Sequence, residues 1–342
     1  MLKRIKQGGL KSAKSLRLLD LVGKSRWRTD RLLILGYHGV SLDDEHAWNP
    51  ELFMPAELLR RRFQIIKESR CTVLGLGDAL QRLYSGTLPA KTVVITFDDG
   101  FYNFHKVAVP LLGEFNFPAT LYLTTFYTDY NKPIFGIAAD YLLWKGKSSR
   151  LNCSSLLEID EVIDLNIDSE RLRCHRLIID YALKRELSAE QKNSLLMDLC
   201  SELNIDFATF CETRLFQLMT SQEVSQAAER VNIELHTHRH RVPLDERLFA
   251  REIDDNRRAI GRATASRPTH FCYPSGQYNS LFFPWLETAD VVSATTCDPA
   301  LATATTSNFL LPRLIDTCSL TDVEFEGWLS GVSHFLPQRR YA

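Results

Sequence analysis

The sequence predicts an α/β protein in which helices surround a parallel sheet or barrel. From residue 31 onward, short apolar runs alternate with stretches of helical periodicity, a pattern typical of βα units. Eight runs qualify as strands, and that number favours a closed barrel over an open sheet. The candidate strands are 32–37, 72–76, 93–97, 119–124, 231–235, 269–273, 290–295 and 309–315. Helical spacing of apolar residues is clearest in 57–67 and 103–116, and 246–261 predicts a helix with a polar face.

One long interval breaks this alternation. More than a hundred residues separate the fourth and fifth candidate strands, which predicts an inserted helical subdomain at about 128–216. Within it, 172–183 and 190–203 have amphipathic helical patterns. We therefore expect a basic amino-terminal segment (1–31), one domain (32–330) interrupted by the insertion, and a carboxyl-terminal tail (331–342).

Composition excludes several classes of protein. The net charge of −1 over 342 residues gives no global attraction to nucleic acid. No run approaches the roughly 20 apolar residues that a membrane span requires. Eight scattered cysteines without a CxxC pair indicate reduced thiols, not a disulfide framework. We therefore expect a cytoplasmic protein.

The segment 1–31 differs from the rest because it carries ten lysines or arginines against Asp20 and Asp30. Basic residues interrupt every apolar stretch in it, so it does not have the core of a secretory signal. A basic amphipathic helix of this kind can lie on the inner face of an anionic membrane. The alternative is a helix that caps the domain and leaves its charges in solvent.

Two adjacent carboxylates end the third candidate strand. The apolar run at 93–97 leads directly into Asp98, Asp99 and Gly100. Adjacent carboxylates repel each other unless a cation lies beside them. Successive side chains also point in different directions, so one can face a metal while the other faces a reacting water. The alternative is a buried strand followed by an ordinary Asp-Gly turn.

A histidine cluster follows the fifth candidate strand. His236 and His240 are four residues apart, a spacing that suits two imidazoles on one metal. A carboxylate from another strand end would complete a set that leaves positions open for water. A solvated polar loop is the alternative for the cluster alone. The sixth candidate strand ends in a rigid turn at 273–276, of the kind that fixes a backbone N–H in space.

These stretches resemble the motifs of polysaccharide deacetylases with a NodB homology domain, carbohydrate esterase family 4. The motifs are TFDDG at 96–100, HTxxH at 236–240 and YPSG at 273–276, and the last is most similar to the branch that reads FxYPxG. LGYHGV at 35–40, FPAT at 117–120 and LPR at 311–313 occur in the expected order. The resemblance covers roughly residues 32–316 outside the insertion, and it implies a distorted, incomplete (β/α) barrel.

The resemblance implies a role for each motif residue. Asp99, His236 and His240 would hold a divalent metal, Zn²⁺ or alternatively Co²⁺ or Ni²⁺. Asp98 would be the general base that takes a proton from the attacking water, and the backbone N–H of Tyr273 would bind the oxyanion. The substrate would be an N-acetylated amino sugar of a polysaccharide or its precursor, hydrolysed at its amide bond. All these residues follow candidate strands, and active sites of barrels collect at the carboxyl ends of strands.

The sequence departs from the family pattern in two places. The third motif lacks the arginine that orients the base in the family; Arg267 lies before the strand, and Arg313, near the end of the last candidate strand, is the candidate replacement. The late Leu-x-x-His that protonates the leaving amine is also missing. His38 after the first strand and His334 are the candidate acids, and a third alternative is that Asp98 returns the proton it took.

Three functions are compatible with these residues. The first is hydrolysis of the acetamide of an amino sugar. The second, on the same fold, is removal of O-acetyl groups or hydrolysis of a small cyclic amide, because esters and amides share a tetrahedral intermediate. The third is a sugar-binding protein without catalysis. A binding module needs neither a metal triad nor a free base, so the sequence favours an enzyme.

Overall fold

The computed structural model describes residues 2–147 and 149–336, with residues 2–6 described as backbone only. The strands are β1 Leu33–Tyr37, β2 Gly39–Val40, β3 Phe53–Met54, β4 Thr72–Val73, β5 Thr92–Asp99, β6 Thr120–Leu123, β7 Arg150–Asn152, β8 Val162–Asp164, β9 Asn232–Leu235, β10 His270–Cys272, β11 Ser293–Thr295 and β12 Leu314–Ile315. Each of the eight candidate strands overlaps one of these strands, and most of the candidates are longer than the strand they overlap.

The helices lie between these strands and at both ends of the described chain. They are α1 Leu2–Ser15, α2 Leu18–Gly23, α3 Arg26–Thr29, α4 Glu45–Trp48, α5 Ala56–Glu68, α6 Leu76–Ser85, α7 Val109–Phe115, α8 Phe135–Lys145, α9 Cys153–Leu157, α10 Asp168–Lys184, α11 Ala189–Glu202, α12 Phe207–Glu212, α13 Ser221–Ala228, α14 Glu246–Thr264, α15 Phe282–Thr288 and α16 Asp322–Ser330. A π-helical turn, Phe104–Ala108, leads into α7. Among the described residues, every helix is too short or too polar to cross a membrane.

The main sheet is parallel and curls into an incomplete barrel. Its strand order is β11-β10-β9-β6-β5-β1-β12, and β4 pairs with the first part of β5. The closed barrel favoured by the strand count is wrong, whereas the incomplete barrel implied by the family resemblance is confirmed. Among the described residues the two ends of the sheet meet at one bridge, between Thr295 and Leu311. Because β11 and β12 are three and two residues long, no longer ladder forms between them.

The central strand β5 is buried on both faces, which explains its unbroken apolar run. Val93, Ile95 and Phe97 pack with the core that includes residues of the surrounding helices. Val94 belongs to a second cluster, in which residues of β1, β6 and β10 meet the apolar side of α6. Because side chains alternate along a strand, Asp98 shares the face of Val94, inside the barrel.

The insertion has its own apolar core. Its described part contains α8 to α12 and an antiparallel hairpin of β7 and β8, which the sequence pattern did not predict. The predicted helices 172–183 and 190–203 correspond to α10 and α11. Buried residues from these elements form one cluster, including Leu142, Leu151, Ile178, Leu196 and Phe210.

The amino-terminal segment is helical and packs on α16. Leu10 of α1 and Leu19 of α2 form a small apolar cluster with Val323. Arg28 of α3 is buried and donates hydrogen bonds to the carbonyl oxygens of Leu329 (2.9 Å) and Thr92 (3.2 Å). The segment is therefore attached to the barrel through its apolar side and one buried guanidinium. Of the predicted tail (331–342), residues 337–342 lie outside the described residues.

Candidate active site

A sharp turn at the end of β5 separates the two adjacent carboxylates. Asp99 and Gly100 have φ values of 71° and 87°, and the N–H of Gly100 donates to the carbonyl oxygen of Asp98 over 2.9 Å. A Cβ atom at Gly100 would lie 2.2 Å from Cδ1 of Leu123, so this position requires glycine. A positive φ is costly for aspartate and is typical of functional sites. The turn directs Asp99 out of the strand while Asp98 stays inside the barrel.

Asp99 meets the two histidines that the sequence paired with it. Its Oδ1 lies 3.5 Å from Nε2 of His236, at the end of β9, and 3.3 Å from Nε2 of His240. One ligand atom from each of the three residues lies within 4.8 Å of the other two. Although burial alone would raise the pKa of Asp99, the adjacent imidazoles of His236 and His240 outweigh burial and hold its pKa well below the usual range.

The protonation of His236 shows that these residues fit a divalent cation. Its Nδ1 lies 2.9 Å from the carbonyl oxygen of Cys272, which can only accept, so Nδ1 carries a hydrogen and Nε2 is the nitrogen left to face Asp99 and His240. Nε2 is buried and has no hydrogen-bond partner among the described residues. A buried acceptor without a partner is costly, and a cation at Nε2 would remove that cost. Two histidines and one carboxylate are also a common ligand set of zinc.

Helix α14 supports the loop that carries both histidines. The side chain of Asn256 accepts a hydrogen bond from the backbone N–H of His236 (3.0 Å) and donates to the carbonyl oxygen of Leu123 (2.9 Å). The buried carboxylate of Glu252 accepts from the backbone N–H of Arg239 and from Nε of Arg241, both over 2.8 Å. These contacts connect the histidine loop to the neighbouring strand and helix, as outer residues of metal sites commonly do.

Asp98 is paired with Arg313, the residue that the sequence offered in place of the missing arginine. Nη1 and Nη2 of Arg313 donate to the two carboxylate oxygens of Asp98 over 2.7 and 2.8 Å. Nη1 also donates to Oγ1 of Thr96 and Nη2 to Sγ of Cys272, each over 3.0 Å. Burial alone would raise the pKa of Asp98, but the charge and hydrogen bonds of Arg313 outweigh it and lower the pKa.

The remaining candidates separate into those near the site and those elsewhere. Nε2 of His38 lies 3.7 Å from Oδ2 of Asp98. His334 instead packs against Trp27 beside the amino-terminal helices, with ring centroids 5.6 Å apart. Arg267 pairs on the surface with Asp290 over 2.6 Å. Of the two candidate acids, the structure therefore brings only His38 to the carboxylates.

The oxyanion role of Tyr273 stays a prediction, and in this structure its backbone groups take part in strand pairing. Its backbone N–H donates to the carbonyl oxygen of Thr295 over 3.2 Å, because β10 pairs with β11 up to this point. Its hydroxyl donates to the carbonyl oxygen of Phe309 over 3.1 Å. The N–H predicted to bind an oxyanion is thus already engaged in the sheet.

A shallow cleft of about 260 Å³ opens beside His240, one of the three residues that could hold a metal. It lies between the end of the histidine loop and the turn at 273–276, and its lining residues are His240, Arg241, Val242, Pro243, Pro274, Ser275 and Gln277. An acetylated group placed there would lie next to His240. The third motif therefore forms one wall of the cleft.

Sequence reasoning missed Glu252, Asn256 and Cys272. The first two sit on the buried side of α14 with Phe249 and Ile253, where their side chains interrupt an apolar pattern. That interruption was a usable signal, because buried polar residues in a helix need a partner. Cys272 had no comparable signal, since an apolar strand accommodates a cysteine as a small hydrophobic residue.

Comparison with known proteins agrees with the motifs. Residues 85–141 and 189–292 match the family model described as polysaccharide deacetylase, and the unmatched residues 142–188 lie in the insertion. The poly-beta-1,6-N-acetyl-D-glucosamine N-deacetylase of Escherichia coli K12 is 28% identical over 101 residues. That alignment covers 29% of this chain and 15% of the length of the relative.

Solved structures share the whole fold. The Streptococcus pyogenes deacetylase PplD in complex with acetate superposes with a TM-score of 0.57 at 16% identity, over 90% of this chain and 99% of that one. IcaB from Ammonifex degensii gives a TM-score of 0.56 at 14% identity, over 88% and 97% of the two chains. The predicted resemblance to polysaccharide deacetylases is confirmed by the matched segments, and the solved structures share the fold.

Proposed function

We propose that this protein is a metal-dependent hydrolase that removes acetyl groups from N-acetylated amino sugars of a polysaccharide or its precursor. The observation that carries the proposal is the buried Nε2 of His236, which has no hydrogen-bond partner within the described part of the chain and faces Asp99 and His240, beside an Asp98 that Arg313 holds ionised. Structural roles alone would not explain a carboxylate–histidine triad and a separate ionised carboxylate at adjacent residues. Their juxtaposition supports hydrolysis.

Asp99, His236 and His240 would hold the cation, with Zn²⁺ the expected ion and Co²⁺ or Ni²⁺ the alternatives. A divalent cation supplies Lewis acidity, which polarises an acetyl carbonyl and lowers the pKa of water. The hydrogen bond from Nδ1 of His236 to the carbonyl of Cys272 keeps its Nε2 available as a ligand. The protein thus contributes a preorganised set of three ligands, two of them histidines.

Asp98 would act as the general base. Both of its oxygens accept from Arg313, and each carboxylate oxygen retains further acceptor capacity toward a water in the cleft. Because Arg313 lowers its pKa, Asp98 is ionised at neutral pH and available to take a proton from the attacking water. Arg313 acts through Asp98 as a positioning residue.

The leaving amine requires a proton, and His38 is the proposed donor. Its ring lies 3.7 Å from Asp98, at the same end of the barrel as the cleft. Asp98 itself remains the alternative donor, since a base that takes a proton can later return it. Replacing His38 by glutamine distinguishes the two donors. If His38 is the donor, the variant should lose amide hydrolysis more than ester hydrolysis, because an amine must be protonated to leave whereas an alkoxide depends on protonation less. If Asp98 is the donor, both rates should be kept.

The substrate proposal rests on the matched relative, whose name describes deacetylation of poly-beta-1,6-N-acetyl-D-glucosamine. An open cleft beside His240 is compatible with a sugar that continues into solvent on either side. The cytoplasmic location, and contact of residues 1–31 with the inner face of the membrane, stay predictions from the sequence.

The test is metal content measured together with acetate release. The purified protein and its Asp98→Asn variant would be incubated with N-acetylated and O-acetylated sugars of several chain lengths. We expect about one metal per chain in both proteins and amide hydrolysis in the unmodified protein alone. Release from O-acetyl sugars alone would establish the esterase. Absence of metal after reconstitution with zinc, cobalt or nickel would reject the hydrolase and favour a sugar-binding protein.

A further inference from the structure

The first two helices expose leucines beside cations. Leu16, Leu18 and Leu21 are exposed, Leu16 to 69% and Leu21 to 65%. Arg17 has a φ of 57° and separates α1 from α2, so the three leucines fall within six residues at one corner of the molecule. We call this surface the amino-terminal patch, which consists of Leu16, Leu18 and Leu21 with the exposed cations Lys11, Arg17 and Lys24.

The opposite side of the same helices is firmly attached. Leu10 and Leu19 are buried against Val323, and Lys14 pairs with Glu326 over 2.6 Å. Within α2, the buried Leu19 and the exposed Leu18 are adjacent, so the helix has one side on the barrel and one side in solvent. The exposed leucines are therefore not needed to hold the helices in place.

The charge of the patch is local. Over residues 7–31 the exposed ionic side chains are two carboxylates, Asp20 and Asp30, and five cations, Lys11, Lys14, Arg17, Lys24 and Arg26. Arg26 pairs with Asp30 and Lys14 with Glu326. Within the described residues no carboxylate pairs with Lys11, Arg17 or Lys24. The whole chain has a net charge of −1, so this positive region stands out from the rest of the sequence. The complementary surface must be anionic.

We propose that the amino-terminal patch docks the protein on an anionic lipid bilayer. The leucines would enter the boundary between headgroups and acyl chains, while Lys11, Arg17 and Lys24 would meet anionic headgroups. Nucleic acid or an acidic protein would use the cations but would leave the three leucines in water. A lipid surface uses both parts of the patch.

Docking of this kind leaves the candidate active site accessible. The amino-terminal helices lead into the amino end of β1, whereas Asp98, Asp99 and His236 lie at the carboxyl ends of their strands. The cleft beside His240 opens at that carboxyl end. The proposal concerns a different surface from the active site and does not rest on the proposed activity.

The test is co-sedimentation with vesicles of phosphatidylcholine alone and of phosphatidylcholine mixed with phosphatidylglycerol. We expect binding to the mixed vesicles that weakens as salt is added, and none to phosphatidylcholine alone. The double variant Leu16→Ser, Leu21→Ser should bind about tenfold more weakly, because less apolar area enters the bilayer. The double variant Arg17→Glu, Lys24→Glu should lose at least as much affinity for the mixed vesicles.

A matched control removes two exposed leucines elsewhere. Leu172 and Leu183 of α10 are 58% and 65% exposed, and their double serine variant should bind like the unmodified protein. Equal loss in this control would overturn the proposal, as would failure to bind mixed vesicles. If charge reversal weakens binding to the mixed vesicles but leucine replacement does not, the proposal is also overturned, and an anionic macromolecule is indicated as the partner. Sedimentation velocity tests for self-association. If the leucine variant has a smaller mass than the unmodified protein, the patch binds a second copy of the chain and the bilayer proposal is overturned.

Discussion

Arg313 donates through Nη1 and Nη2 to the two carboxylate oxygens of Asp98, over 2.7 and 2.8 Å. A planar guanidinium matches both oxygens of a carboxylate, so this contact fixes the plane of the carboxylate as well as its charge. Lysine carries its charge at one atom and cannot make the same paired contact. The pair is therefore expected to control both the orientation and the pKa of the proposed base.

Replacing Arg313 by lysine should lower the rate of deacetylation by about a hundredfold and leave the metal content unchanged. The contact that lowers the pKa of Asp98 is weakened, whereas burial, which raises the pKa, remains. The pKa of Asp98 therefore rises. Because the ionised form is the active one, the acidic limb of the rate profile should move to higher pH.

Arg267 provides the matched control for this experiment. It is exposed and pairs on the surface with Asp290, so Arg267→Lys should leave both the rate and the pH profile unchanged. Circular dichroism would verify that the Arg313 variant is folded. A lower rate with an unmoved acidic limb would show that Arg313 does not set the pKa of Asp98.

The metal ligands can be separated from the base by metal analysis alone. Asp99→Asn and His240→Gln should each lose bound metal on dialysis, because each removes one of three proposed ligands. Asp98→Asn should keep its metal and lose activity. A second group of possible ligands, Asp98, His236 and Cys272, lies adjacent. Metal loss from Asp98→Asn and from Cys272→Ser, but not from Asp99→Asn, would assign the cation to that group instead.

Much of the fold could be predicted because its signals are local. The buried strand β5 is an unbroken apolar run, and α10 and α11 have clear helical periodicity. The strand count alone pointed to a closed barrel, because the number of strands does not show how the two ends of the sheet pair; only the family resemblance implied the incomplete barrel, whose ends meet at the bridge between Thr295 and Leu311. The β7–β8 hairpin was missed since strands of three residues give too short a pattern.

The positions of the candidate site residues could be predicted where they depend on residue type, whereas the hydrogen bonds of backbone groups could not. Asp99, His236 and His240 meet because they follow strands of one parallel sheet, whose carboxyl ends lie together. Arg313 was found by its place near the end of the last candidate strand, 309–315. The oxyanion role of Tyr273 was assigned from a motif, but strand pairing already uses its N–H. Hydrogen-bond partners of a backbone group cannot be inferred before the register is known.

Asn256 should matter for metal affinity although it is not a proposed ligand. It accepts from the backbone N–H of His236 and connects that residue to Leu123 of the neighbouring strand. Replacing it by alanine should weaken metal binding by about 10- to 100-fold, as is usual for residues that orient a ligand. Competition with a fluorescent chelator measures the affinity directly. Asn166, exposed in the insertion, is the control, and equal affinities in Asn256→Ala and Asn166→Ala would contradict the role.

Removing the metal should lower the thermal stability of the fold. A cation that binds the folded state alone, present at a hundred times its dissociation constant, contributes about 2.7 kcal/mol. The melting temperature should therefore fall after chelation and recover when zinc is added back. The His240→Gln variant should melt at the same temperature after chelation and after zinc is added back. A zinc-dependent shift that persists in this variant would indicate a cation bound elsewhere.

His270 should make stability depend on pH in the mildly acidic range. Burial lowers the pKa of His270 to about 4, whereas the unfolded chain binds a proton near its ordinary pKa of about 6.5. Between these values the unfolded state binds more protons, so stability rises with pH in this window and is lost as pH falls toward 4. The contribution is at most about 3 kcal/mol.

His270→Gln should remove this dependence, because glutamine does not titrate and can still contact Ser293, which lies 2.8 Å from the imidazole. Urea unfolding of both proteins at several pH values measures the difference. Glu234, whose pKa burial raises to about 7, titrates nearby with the opposite effect on stability. It accepts from the backbone N–H of residue 270, which both proteins have, so its contribution cancels in the difference. Parallel stability curves in the acidic range would show that the folded protein does not hold this imidazole neutral.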